Sequence, residues 1–291
     1  MLAKLLKYDF KALNRIMLPL QGGVLLAGLA GVFFTRLTYV SINNSITNSV
    51  NSYYSASSSS SIVLEGVVYS TSILLAIVLF TAVIASFWVS LLLIARNYYQ
   101  SFLRDEGYLT FTLPVTVSQN LLSKIIAGSA WLLVNVIIIC LAFLLLIAVG
   151  FADAGFKFLG DILSEALDSM GTLPGVVLLT ELVILGILAL LHAILQVFIS
   201  LNIGAVLAKT HKVLAGIGIF LAINMGMQTI MSIVTFGMGF TFDSAFFNYS
   251  DLSWFFTMQA IVLPPIVVIG GLTVLYYFLS RNLLTNRLNL D

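Results

Sequence analysis

Three polar side chains sit where polar side chains are rare. Glu181, His192 and Gln196 lie inside one long apolar stretch. Glu181 and His192 are about three helical turns apart and Gln196 is about one turn further, so all three fall on one helix face. Ionisable groups at membrane depth are costly and are functional candidates by default. The stripe could line a substrate path or handle a proton. It could equally hold helices together by hydrogen bonds, each worth about 1 kcal/mol or less. Asn135, Asn202, Asn224 and Gln228 are further polar positions that read as such interhelical contacts.

The rest of the chain offers little other chemistry. His192 and His211 are too far apart on a helix to share an ion, and Cys140 has no neighbour in sequence to ligate with it. No metal site, no nucleophile–base pair and no catalytic residue is expected, so the chain itself is not expected to be an enzyme. A single cysteine excludes an intramolecular disulfide. No G-x-x-x-x-G-K-[ST] stretch occurs, so no P-loop is available to cradle phosphates. The chain is expected to carry no cofactor, and nothing points to nucleic acid.

The elements that must position these residues follow from composition. The 291 residues are 60% hydrophobic and 9% charged, with a mean hydropathy of +1.09. A soluble domain is roughly a quarter charged. This much apolar surface calls for a bilayer as solvent, and a backbone in hydrocarbon must satisfy its own hydrogen bonds, which favours helices. The expected fold is an all-α integral membrane protein with six spans, at about 17–40, 65–95, 124–150, 174–208, 213–240 and 255–279. Residues 1–16 read as an amphipathic interfacial helix, since Leu2, Leu5, Leu6, Phe10 and Leu13 interleave with Lys4, Lys7, Lys11 and Arg15, and Pro19 offers a break. The same interleaving argues against a cleavable leader. Residues 17–291 then form a single six-span domain.

Gly23, Ala27 and Gly31, and again Ala82, Ser86 and Ser90, make small-residue stripes for close helix packing. Residues 41–61, mostly Ser and Asn, read as an exposed loop. Residues 151–173 are acidic, with a short surface helix over FLGDILSEALDSM and a charged, solvated face. Pro264, Pro265, Gly270 and Gly271 should bend or interrupt the sixth span.

Charge sets the orientation. Six spans place the N-terminal segment, the 96–123 connection, the KTHK turn at 209–212 and the C-terminal tail on one side. That side holds Lys4, Lys7, Lys11, Arg15, Arg96, Arg104, Lys124, Lys209, Lys212, Arg281 and Arg287; the other holds only Arg36 and Lys157. By the positive-inside rule both termini are expected in the cytoplasm.

The 96–123 connection stands apart because it combines charge, aromatics and turn residues. Tyr98, Tyr99, Phe102 and Leu103 approach helical spacing and lead into Arg104, Asp105 and Glu106, after which Gly107 breaks the helix. Leu109, Phe111 and Leu113 alternate with threonines, Pro114 keeps Leu113 extended, and Ser118 is the expected cap of the next helix. Aromatic anchors rimmed by charge suit a contact with a partner protein. They equally suit a re-entrant or interfacial segment that seals the bundle.

The run DEGYLTFTLPVTVSQNLLSKII resembles the segment after the second span in ABC transporter permeases of the second, exporter-like type, in the form found in Gram-positive bacteria. Glu106, Gly107, Leu109, Leu113, Pro114 and Lys124 match that pattern; Tyr108 and Ser123 depart from it. In topology the resemblance covers the whole chain, and in sequence about residues 96–126. It implies a cytoplasmic coupling helix between spans two and three that docks on a separate ABC ATP-binding subunit, with ATP and Mg held by that partner. Tyr98, Tyr99, Phe102, Leu103, Arg104, Asp105, Glu106 and Gly107 would form the contact, with Tyr99, Phe102 and Leu103 in the partner's groove. It further implies a second permease subunit, as a homo- or heterodimer, and a bacterial plasma membrane. The rival readings are an ion-coupled secondary transporter using Glu181 or His192, and a non-transporting membrane sensor or scaffold.

Overall fold

The computed structural model describes residues 2–52, 59–103, 115–150, 152–208, 210–245 and 251–286. Among the described residues every regular element is a helix: α1 Leu2–Ser52, α2 Ser59–Phe102, α3 Val117–Leu145, a π-helical turn Leu146–Gly150, α4 Ala152–Met170, α5 Leu173–Leu207, α6 Lys212–Ala245 and α7 Asp251–Asn286. Six stretches are long and apolar enough to cross a membrane: Ala3–Asn44, Ser70–Phe102, Val117–Val149, Leu173–Leu207, Lys212–Val234 and Met258–Thr285. They leave large side chains such as Leu26, Leu74, Leu92, Met225 and Val267 exposed. In water that much apolar surface would be a liability; against lipid it costs nothing. The chain is a multi-pass membrane protein.

Three boundaries differ from the sequence expectation. Residues 2–16 are not a separate interfacial helix: α1 continues through Pro19 without a break. A proline removes one hydrogen bond, and a long apolar helix tolerates that loss where neighbours re-satisfy the freed carbonyl. Asp9 and Leu13 are buried, so the first turns pack against protein instead of lying free on a surface. The Ser/Asn tract is helical up to Ser52 and again from Ser59. Ser and Asn disfavour a helix only by tenths of a kcal/mol each, roughly, so extension of an established helix overrides them. Likewise α7 runs uninterrupted through Pro264 and Pro265.

The helices build two compact units. One comprises Asn14–Ser90 and Trp131–Leu167. Its core is Val24, Val83, Ile138 and Ala142, flanked by Ala27 and Ile139. Close approach here depends on Gly28 and Gly31, where an added Cβ would lie 3.1 Å from Ala142 Cβ and 3.0 Å from Phe80 Cε2. Gly23, expected in that role, has open space around it. Asn135 donates to Gln21 Oε1 and to Ser86 Oγ at 3.2 Å each, and Thr38 donates to Ser72 at 2.6 Å. These polar side chains do hold helices together.

The other unit comprises Met1–Leu13, Leu91–Ala130 and Asp168–Asp291. Within it α5 packs against both α6 and α7. The start of α5 is capped by Thr172, whose hydroxyl accepts from Gly175 N. At its other end the chain turns back so tightly that a Cβ on Gly204 would fall 2.7 Å from Gly216 Cα. Only glycine admits the α5–α6 hairpin at that point.

Candidate functional site

The 104–114 segment lies outside the described residues, but both of its roots are described. The first root is the last turn of α2, ending in Phe102 and Leu103. The second is the start of α3. There Gln119 N donates to Thr116 Oγ1 and Thr116 N donates to Gln119 Oε1. This reciprocal capping box makes Thr116 the cap, not Ser118 as expected. It fixes the first turn of α3 and so fixes where Ser123 and Lys124 stand, two turns on.

At that height a buried ionic clasp ties the two roots to α1. Lys124 Nζ is 2.5 Å from Asp9 Oδ1 and donates to Ser101 Oγ at 2.9 Å. Ser123 Oγ donates to Asp9 Oδ2. Asp9 and Lys124 are each only 8% exposed, and Ser123 is fully buried. Both oxygens of the carboxylate are therefore occupied, and the ammonium has two acceptors. A buried ion pair is tolerated on these terms, with its remaining hydrogen-bonding groups satisfied. One acid of α1 thus binds two residues of α3, and through Lys124 reaches the end of α2.

One turn deeper the clasp is backed by an aromatic cluster. Tyr98 stacks on Phe198 of α5 with ring centroids 3.8 Å apart and donates to Asn202 Oδ1 at 2.9 Å. Phe102 packs on Tyr98 at 4.9 Å. Gly128 lets α3 close against Ile94 and Ile194. The end of α2, the start of α3 and the far end of α5 therefore form one packed corner.

This placement differs from the expected partner contact. Tyr98 and Phe102 have no exposed surface and Leu103 has 5%. These three side chains face the chain's own interior, because the corner needs large apolar groups to fill it. Tyr99 is half-buried. Arg104, Asp105, Glu106 and Gly107 lie outside the described residues, as do Leu109, Phe111 and Leu113.

The stripe on α5 meets α7. Glu181 Oε2 accepts from Gln259 Nε2 at 3.0 Å. His192 Nδ1 is 3.4 Å from Thr273 Oγ1, and its ring lies 5.3 Å from that of Tyr276. Gln196 is buried next along the same face. Two of the three thus have partners on one neighbouring helix, which suits interhelical bonding. The Nε2 atoms of His192 and Gln196 are buried without a partner among the described residues. Among the described residues no three His, Cys, Asp or Glu side chains are grouped to hold a metal ion.

The residues that sequence reasoning missed are Asp9, Ser101 and Ser123. A signal for Asp9 was present. It lies at helical spacing on the apolar face with Leu2, Leu5, Leu6 and Leu13, opposite the lysines. An acid in that position must find a buried partner. Nothing in the sequence says that the partner is Lys124.

Compared with known proteins, the chain matches no family model, no curated protein and no solved structure.

Proposed function

We propose that the chain is the membrane-spanning permease subunit of an ATP-driven exporter, worked by a separate ATP-binding subunit that grips the 96–123 connection. The observation that carries this reading is the Asp9–Lys124–Ser123–Ser101 clasp. A connection meant only to join two spans needs no such anchorage. Here a push or pull on the connection would be delivered to α1, α2 and α3 together, because one buried carboxylate holds all three. The likeness of Glu106 to Lys124 to exporter-type permeases supplies the kind of partner, with ATP and Mg bound there. A second permease subunit, identical or related, completes the complex.

Burial of Tyr98, Phe102 and Leu103 assigns them to the corner beneath the contact. The contact itself then falls to Tyr99 and to Arg104, Asp105, Glu106 and Gly107. Glu181 and His192 serve chiefly to join α5 to α7.

In this reading the connection and both termini lie in the cytoplasm of a bacterial cell. The test is sidedness, in a chain whose Cys140 is replaced by alanine. An impermeant maleimide should label Ser58→Cys in intact cells and should label Val115→Cys only after permeabilisation. Labelling of Val115→Cys in intact cells would put the connection outside, beyond the reach of an ATPase.

A further inference from the structure

We propose that α4 is a lipid-binding helix, lying along the membrane–water interface with its apolar side immersed in the bilayer. The inference needs only the membrane-spanning character of the chain and is independent of the exporter reading.

The sequence of α4 divides into two arcs at about 100° per residue, with Phe158 and Ser169 at the border. Phe156, Leu159, Ile162, Leu163, Leu167 and Met170 fall within an arc of roughly 180°, and Lys157, Asp161, Ser164, Glu165 and Asp168 fall on the opposite arc. The charged arc is solvated, as its composition predicts. The apolar arc should then be covered by protein, and it is not. Phe156 is 62% exposed, Leu163 61% and Leu167 58%. Ile162 and Met170 are exposed as well, while Leu159 is half-buried.

Chain connectivity names the occupant. The membrane-crossing stretches on either side end at Val149 and begin at Leu173. Only a few residues separate those points from Ala152 and Met170, the ends of α4. At roughly 3.5 Å per residue such short joints hold both ends of the helix within about 10 Å of the ends of those membrane-crossing stretches. A helix tethered at both ends beside membrane spans, with most of one apolar side exposed, has lipid as its nearest apolar phase. The polar arc is net acidic, so anionic headgroups would repel it. Burial of apolar surface alone must drive the association, which sets α4 apart from basic interfacial helices held by charge.

The test uses the full chain with Cys140→Ala and single cysteines at Leu163, Leu167, Asp161 or Glu165. All four positions are exposed, so none of the changes removes a buried contact. Each variant is labelled with bimane in detergent and reconstituted in phosphatidylcholine vesicles with or without doxyl-labelled phosphatidylcholine. Doxyl lipid should quench the label at positions 163 and 167 several-fold more than at 161 and 165. Replacing part of the lipid with phosphatidylglycerol should not change that ratio. Equal quenching at all four positions would overturn the proposal. So would labels at 163 and 167 that are shielded from aqueous iodide yet unquenched by doxyl lipid, since a second copy or another protein would then cover the face.

Discussion

Asp9→Ala and Lys124→Ala should each lower stability by about 3–5 kcal/mol, because each strands a buried charge. Asp9→Ala leaves the Lys124 ammonium with Ser101 alone and removes the acceptor of Ser123. Lys124→Ala leaves a carboxylate held by one hydroxyl. Against a total of roughly 5–15 kcal/mol for a folded domain, either loss is severe. Replacing both residues with apolar ones of similar size, as in Asp9→Leu with Lys124→Met, should restore most of the loss, since no unpaired charge remains. The readout is the temperature at which half of the detergent-solubilised protein loses its monodisperse chromatographic peak. Single variants shifting by no more than an exposed pair would, about 1 kcal/mol or less, would show that the clasp is not buried.

Phe102→Asp should prevent stable folding altogether. The ring has no exposed surface and packs on Tyr98, which is stacked on Phe198 and bonded to Asn202. An aspartate there would sit buried against the Tyr98 ring with no partner for its charge, a far worse outcome than a cavity. Phe102→Ala, which leaves only the cavity, should cost about 3–5 kcal/mol. Tyr99→Ala, at a half-buried site, should cost less than either. Expression and size-exclusion behaviour of the three variants check the order. A Phe102→Asp chain that purifies like the wild type would mean that this ring is free after all and available to a partner.

The spans were legible because each carries more apolar residues than any soluble helix could hide. Their ends were not. Pro19 and the Ser/Asn tract are local signals for a break, and in a long helix each costs too little to outweigh continued hydrogen bonding. The importance of the 96–123 connection was legible from its charge among apolar runs. What holds it was not, because Asp9 and Lys124 are far apart in sequence and their pairing is a tertiary fact. The direction of the aromatic side chains is not legible in the sequence for a related reason. Tyr98 and Phe102 fall on one helix face whichever neighbour that face meets, and periodicity cannot say whether the neighbour is α5 or another protein.

The exporter reading is tested most directly by what accompanies the chain out of the membrane. A tagged full-length chain, extracted gently from its native membrane, should bring with it a P-loop ATPase that hydrolyses ATP. Asp105→Lys combined with Glu106→Lys should abolish that hydrolysis while the chain itself elutes as before. A well-folded chain that purifies from native membranes with no ATP-hydrolysing partner would contradict the account.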